Sequence, residues 1–363
     1  MKLLLLLSAS SFTLAALPSF TYVASEWPSV AGSTDGLGYT VTAAPTPQIL
    51  SAFPLPAGDS KLAIKPNSAA STQQCPANVD ASLGDTGTCW WTCGPTADPS
   101  GKCWRPDDIR DCKGAKTLGL TFDDGPTTFT PTLLQYLVSK NLKATFFLVG
   151  AHMVQNPQIV RDLYNAGMEF GVHSWSHHPL TSLTNDQIVA ELGFTVQAFQ
   201  KILGIKPTLF RPPQGDLDDR VRAIAAAMGL RPVMWNLDTN DYTTDGNTNL
   251  VAGVVSGFQT AIGGSFSNGL ITLEHDTFQG GVDLFENNFL PQMTANGYSL
   301  MTVGQCKGIA SPTVPSTVNQ PGQGQVQQVP SSQDNKAPTS DASTNYTYLF
   351  SVVLGIVIAF SMI

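Results

Sequence analysis

Between Cys112 and Cys306 short apolar runs alternate with amphipathic stretches, which predicts an α/β domain of parallel strands, either a sheet or a small barrel. Three observations carry that expectation. Strand-like runs recur, helical periodicity fills the intervals, and each cluster of acidic, histidine or arginine residues falls just after a strand, where such barrels carry their active sites. Residues 117–122 are apolar and end at Asp123-Asp124, and 144–149 read as a second strand. Residues 168–172 lead into His173, 232–235 run towards Asp238, and 270–273 end at His275. The clearest helix begins at Thr184, with Gln187 three residues on as in a capping box. It places Ile188, Leu192, Val196, Phe199 and Leu203 on one face.

The chain has 363 residues, and its ends read as processing and linker segments. Residues 1–24 start Met1-Lys2, pass through five leucines and reach Ala15-Ala16 without further charge, as a secretory signal does. Residues 25–74, rich in Ala, Pro and Ser, read as a mobile leader. Residues 75–112 are a Cys-rich segment expected to pack on the core, with Trp90, Trp91 and Trp104 interleaved. The motif-bearing domain follows over 113–306, then a polar stalk over 307–345 and an apolar tail over 346–363. Small residues before that tail match a glycosylphosphatidylinositol (GPI) attachment signal, with the lipid joined somewhere from Asp334 to Ser343 and Ser340 preferred. No Lys or Arg follows the apolar run, which disfavours an ordinary transmembrane helix. Asn345 opens a glycosylation sequon that would leave with the tail.

A net charge of −8 and a charged fraction of 13% exclude the basic footprint that nucleic acid requires. The six cysteines, Cys75, Cys89, Cys93, Cys103, Cys112 and Cys306, imply three disulfides in an oxidising compartment rather than a zinc site. Cys112 and Cys306 bracket the motif-bearing region, so their pairing is expected to staple its ends. The other four then pair among themselves.

Five stretches carry the chemistry: Thr121-Phe122-Asp123-Asp124-Gly125-Pro126, His173-Ser174-Trp175-Ser176-His177, Arg211-Pro212-Pro213-Gln214-Gly215, Asp238-Thr239-Asn240-Asp241-Tyr242 and Leu273-Glu274-His275. Neighbours on a strand face opposite ways, but a turn at the strand end brings Asp123 and Asp124 to one cleft, one to bind metal and one to take a proton. His173 and His177 are one turn apart if their segment is helical, so both imidazoles reach one ion. No Glu follows His173, which separates this motif from zinc-protease helices. Asp124, His173 and His177 make a set of two imidazoles and one carboxylate. Zinc is the default occupant, with cobalt, manganese, nickel and iron also compatible.

In order and spacing the five stretches resemble those of the polysaccharide deacetylases, carbohydrate esterase family 4, and among them fungal chitin deacetylases. The resemblance covers 116–303 and implies a distorted (β/α) barrel, stapled here by a disulfide, and one divalent metal bound by His, His and Asp. It implies Asp123 as general base, Asp124, His173 and His177 as metal ligands, and Arg211 as the residue orienting the base. His275 then resembles the general acid, Asp241 the carboxylate tuning it, and Leu273 part of the acetyl pocket. The backbone N–H of Gln214 resembles the oxyanion donor. Gln214 stands where the family usually has Tyr, and Tyr242 where it often has Trp, so the wall that meets substrate is altered while every catalytic group remains.

The expectation is a secreted, GPI-anchored monomer at a fungal surface or wall that deacetylates chitin or N-acetylated chito-oligosaccharides. Deacetylation of xylan or an exopolysaccharide is the alternative, as is a non-catalytic chitin-binding wall protein on the same fold. The intact acid, base and ligands stand against the last. His152 has no motif role, His178 reads as a surface residue and Glu274 as a structural one.

Overall fold

The apolar runs become strands buried on both faces, as parallel strands covered by helices must be. A computed structural model describes residues 17–28, 43–66 and 105–309, all within the unit Met1–Asn319. Its strands are β1 (Thr117–Gly119), β2 (Thr121–Asp123), β3 (Thr145–Leu148), β4 (Glu169–Val172), β5 (Leu209–Phe210), β6 (Arg231–Pro232), β7 (Leu237–Asp238), β8 (Leu270–Leu273) and β9 (Ser299–Met301). They form two sheets, ordered β7-β8-β1-β9 and β2-β3-β4-β5-β6, and every pairing is parallel.

Two junctions turn these sheets into one distorted barrel. At Leu120 the chain passes from β1 to β2; its N–H donates to Met301 O at 2.9 Å, and its carbonyl accepts from Thr145 N at 2.9 Å. At the far end a parallel bridge joins Asp123 to His275, carrying β2 alongside the extension of β8. The distortion lies between β6 and β7, which follow one another without a helix. There Ile109 bridges to Val233, so a segment preceding the barrel occupies the edge of β6. The stretch 232–235, expected as one strand, is therefore split.

Alternation along the strands sorts the core. Phe146 and Leu148 join the large cluster under the helices, whereas Phe147 joins Ile109, Cys112, Leu209, Val233, Ile271, Val303 and Cys306 inside the barrel. Gly171 makes room for the Phe147 ring: a Cβ there would lie 2.3 Å from two ring carbons. The expected Cys112–Cys306 disulfide is present with Cα atoms 5.0 Å apart, closing a loop of sequence separation 194. In the chain-entropy model a loop of that length contributes about 5 kcal/mol. Gly119 seats the bridge, since a Cβ there would be 3.2 and 3.3 Å from the two sulfurs. Cys75, Cys89, Cys93, Cys103, the three tryptophans beside them, Asn345 and the attachment stretch around Ser340 lie outside the described residues.

The helix Asn185–Leu203 starts at the expected capping box, and Ile188, Leu192, Val196, Phe199 and Leu203 are buried. It is buried on its other side too, which corrects the reading of 25–74 as a mobile leader wherever that stretch is described. The helix Pro47–Ala52, capped by Thr46, packs Ile49 against Gly193, where a Cβ would meet Ile49 side-chain atoms at 3.0 Å. Residues 17–28, partly within the expected signal, also lie on the barrel: Trp27 is buried, Arg161 donates to Pro18 O at 2.6 Å, and Lys201 pairs with Glu26 at 2.6 Å. Composition concealed this because the segment offers its apolar groups singly, without a period. Of the Cys-rich segment only residues 105–112 are described, and there Arg105 pairs with Asp219 at 2.6 Å and Asp108 with Arg222 at 2.8 Å.

Candidate active site

Asp123, His173, Arg211 and His275 all stand at or just beyond strand ends on the inward register, so alternation alone converges them at one mouth of the barrel. Asp124 follows Asp123 and would face away on a continued strand. Its φ of +74° turns it back, and its carboxylate enters the same cleft. The cis Gly125-Pro126 peptide completes the turn, and Gly125 is required by close approach: a Cβ there would lie 2.8 Å from Asp276 Oδ1. Asp276 holds this turn from beneath, accepting from Thr130 Oγ1 at 2.5 Å, while its carbonyl accepts from Thr127 Oγ1 at 2.5 Å.

The second motif is not helical, which corrects the one-turn reading of His173 and His177. Ser174 and His177 have φ of +59° and +60°, and the segment is a loop in which Ser174 Oγ accepts from His177 N at 3.0 Å. The two rings still meet, with centroids 5.0 Å apart. Asp124 Oδ1 lies 3.0 Å from His173 Nε2 and 3.1 Å from His177 Nε2, and one ligand atom from each residue falls within 4.8 Å of the others. The donor set fits a divalent ion. His173 Nδ1 is 2.7 Å from the Arg211 carbonyl, which only accepts; Nδ1 therefore carries the proton and Nε2 presents a lone pair to the cleft. Burial works against the Asp124 charge, yet when the neighbouring imidazoles are protonated the His177 charge and hydrogen bonds from His173 and His177 hold its carboxyl well below the usual range.

Arg211 is fully buried. Its Nη1 donates to Asp123 Oδ1 at 2.8 Å and Thr121 Oγ1 at 2.7 Å; Nε and Nη2 donate to Val233 O and Met234 O, each at 3.2 Å. The guanidinium lies over the Phe147 ring at 4.3 Å. Asp123 is thus aimed by a side chain with no freedom of its own. Opposite it, Asp241 accepts from His275 twice, from the ring Nδ1 at 2.9 Å and from the backbone N at 2.7 Å. Burial of the His275 ring disfavours its charge, but Asp241, with Asp124 and Asp123 beyond, outweighs burial and pushes the imidazole up to about 10. His275 Nε2 is 4.0 Å from Asp124 Oδ2, so the ring faces the candidate metal site.

The remaining expected residues line the mouth. Leu273, on β8 opposite Asp238, is buried, and half-exposed Tyr242 sets its ring edge-on to His275 at 5.4 Å. Gln214 sits in the tight turn Pro213–Gly215 with φ +58°. Of the seven non-glycine residues with positive φ among those described, five fall in the motifs: Asp124, Ser174, His177, Gln214 and Asn240.

The family model described as Polysaccharide deacetylase matches residues 110–233. A chitin deacetylase of Amylomyces rouxii is 33% identical over 303 residues, covering 81% of this chain and 69% of that protein. This chain belongs to the polysaccharide deacetylase family. Another polysaccharide deacetylase relative, Chitin deacetylase 1 of Cryptococcus neoformans, is 44% identical over 245 residues, 64% of this chain and 51% of that protein. The chain thus spans about half the length of that relative. The solved chitin deacetylase of Colletotrichum lindemuthianum superposes with a TM-score of 0.54 at 27% identity, over 58% of this chain and 97% of that one.

Three residues have roles the motifs did not announce. His152 is buried, and its Nδ1 is 2.7 Å from the Asp124 carbonyl, so its N–H holds the left-handed ligand residue. His178, expected at the surface, is half-buried with Nδ1 2.8 Å from Ser176 Oγ. Glu191 is fully buried and collects the backbone of the His173–His177 loop. A carboxylate in the middle of an apolar helix stretch was the signal that could have found it. At Glu274 burial, with Asp241 near, raises the carboxyl well above the ordinary range.

Proposed function

We propose that this protein hydrolyses the N-acetyl groups of N-acetylglucosamine residues in chitin, giving chitosan and acetate, with one divalent metal ion, zinc or cobalt, held by Asp124, His173 and His177. The carrying observation is the opposed pair of locked groups: Asp123 on Arg211 and His275 on Asp241, with the three ligand residues between. An acetamide needs both a base for water and an acid for a poor leaving amine, and this pair supplies them. When bound, the ion supplies positive charge that polarises the acetamide carbonyl and acidifies water. Asp123 takes the proton from the attacking water, and Arg211 holds the carboxylate aligned. His275 carries a proton to the departing nitrogen, and Asp241 keeps the ring cationic until transfer. Gln214 offers its backbone N–H to the developing oxyanion, and Leu273 and Tyr242 flank the acetyl group. Water adds to the carbonyl carbon, the C–N bond breaks, and acetate and a free amine leave.

Chitin is favoured as substrate because the relatives above are named for it. The apolar first residues and the apolar tail support secretion and a GPI anchor at the cell surface or wall. The test is acetate release from chitin oligomers by purified protein before and after chelation, with zinc or cobalt restored. Asp123→Asn should lose turnover yet bind metal as before. Chelator-resistant activity, or full activity in Asp123→Asn, refutes the mechanism. No acetate from chitin but release from acetylated xylan reassigns the substrate. Release from membranes by a phosphatidylinositol-specific phospholipase checks the anchor; persistent retention contradicts it.

A further inference from the structure

The loop bearing His173 and His177 contains two left-handed non-glycine residues, and such a loop persists only when its surroundings over-determine it. Much of that determination comes from one buried side chain outside every motif. Glu191 Oε2 accepts from Trp175 N at 2.9 Å and Ser176 N at 2.8 Å, the backbone between the two histidines. Glu191 Oε1 accepts from Ser176 Oγ at 2.6 Å and from Ala43 N at 2.6 Å. A carboxylate offers about four lone-pair positions, and four donors fill them. The same loop is clamped a second time from the N-terminal segment: the Trp27 ring stacks on Trp175 at 5.6 Å and 11°.

We propose that Glu191 is a positioning residue of the metal site, and that through Trp27 and Ala43 the described segments 25–28 and 43–66, which follow the expected signal, form part of that site's scaffold. The inference rests on the metal-dependent reading above. Its chemistry is specific to a carboxylate. In Glu191→Gln the amide NH2 must face either the Trp175 and Ser176 N–H groups or the Ala43 N–H, so at least one buried backbone donor is stranded in a side chain of unchanged shape. Trp27→Ala loosens the second clamp without touching Glu191 or the loop's own residues.

Zinc and cobalt affinity of the purified protein with its N-terminal segments in place, measured by calorimetry after chelation, tests this directly. Glu191→Gln is expected to lose about tenfold to a hundredfold in affinity for both ions, as outer partners of metal ligands do. Its turnover should return at saturating metal, whereas a merely less stable protein would keep wild-type affinity below its unfolding temperature. Trp27→Ala should weaken binding in the same direction, and it carries the test alone should Glu191→Gln not fold. Wild-type affinity in Glu191→Gln overturns the role of Glu191, and wild-type affinity in Trp27→Ala overturns that of the N-terminal segment. A wild-type protein that binds neither ion removes the metal reading and this inference with it, and its own isotherm tells that failure apart.

Discussion

Arg211→Met removes the cation on which the barrel mouth is built while keeping a side chain of similar length. The arginine is fully buried, and its fork serves Asp123, Thr121 and the carbonyls of Val233, Met234 and Thr272, the last at 3.4 Å. Methionine leaves a carboxylate that is 2% exposed without its counter-charge, beside carbonyls without donors. Breaking a buried ion pair by removing one partner typically costs about 3–5 kcal/mol. In a domain of this size 1 kcal/mol corresponds to roughly 2–4 °C in Tm, so a fall of about 10 °C is expected. The assay is thermal unfolding in chelator, so that lost metal binding does not enter the comparison. Asp123→Asn in the Arg211→Met background removes the stranded charge, and the double variant should be more stable than the sum of the singles by about 1–3 kcal/mol. A Tm within 2 °C of wild type, or additive singles, would show that Asp123 does not depend on Arg211, and the assigned base would lose its support.

Asp241→Asn removes the carboxylate that holds the His275 proton against burial, so the ring's pKa falls and the alkaline limb of kcat moves to lower pH. An unmoved limb denies His275 the acid role. Gly171→Ala puts a methyl 2.3 Å from the Phe147 ring inside a filled barrel; a loss of about 1–3 kcal/mol is expected in denaturant titration, and a neutral result contradicts the close packing. Gln214→Gly keeps the backbone N–H and suits the left-handed turn, so kcat on chitin oligomers should stay within about threefold of wild type. A drop beyond tenfold assigns the work to the Gln214 side chain instead.

What the sequence disclosed follows from how each feature is encoded. The strands and the long helix were legible because 270–273 is a short unbroken apolar run and Ile188, Leu192, Val196, Phe199 and Leu203 recur at helical spacing. The site was legible because its chemistry needs residue types that apolar packing does not supply, and Asp123, Asp124, His173, His177, Arg211, Asp241 and His275 all converge. The Cys112–Cys306 staple followed from the two ends it closes. Glu191 and His152 were hidden because each acts on backbone atoms, Glu191 on Trp175 and Ser176 and His152 on Asp124, and a backbone partner leaves no residue type to read. Residues 43–66 were hidden for another reason: Ile49 finds its place because Gly193 leaves a gap, a complementarity spread over two distant segments.

The same distinction explains the shape of the site. Inward alternation delivers Asp123, His173, Arg211 and His275 with no backbone penalty, since each simply continues a strand. Alternation cannot deliver adjacent residues to one cleft, nor two histidines from one loop. Asp124, Ser174 and His177 solve that by entering the left-handed region, at a cost of about 1–2 kcal/mol each for a side chain other than glycine. Glycine would remove the cost at Asp124 or His177 and with it the ligand, so chemistry and backbone preference oppose one another there. The opposition is resolved from outside the motifs: the His152 ring on the Asp124 carbonyl, Asp276 beneath the turn that follows, and the saturated Glu191 carboxylate behind the histidine loop. The ligand residues set what the cleft can bind, and these supports fix where that binding happens.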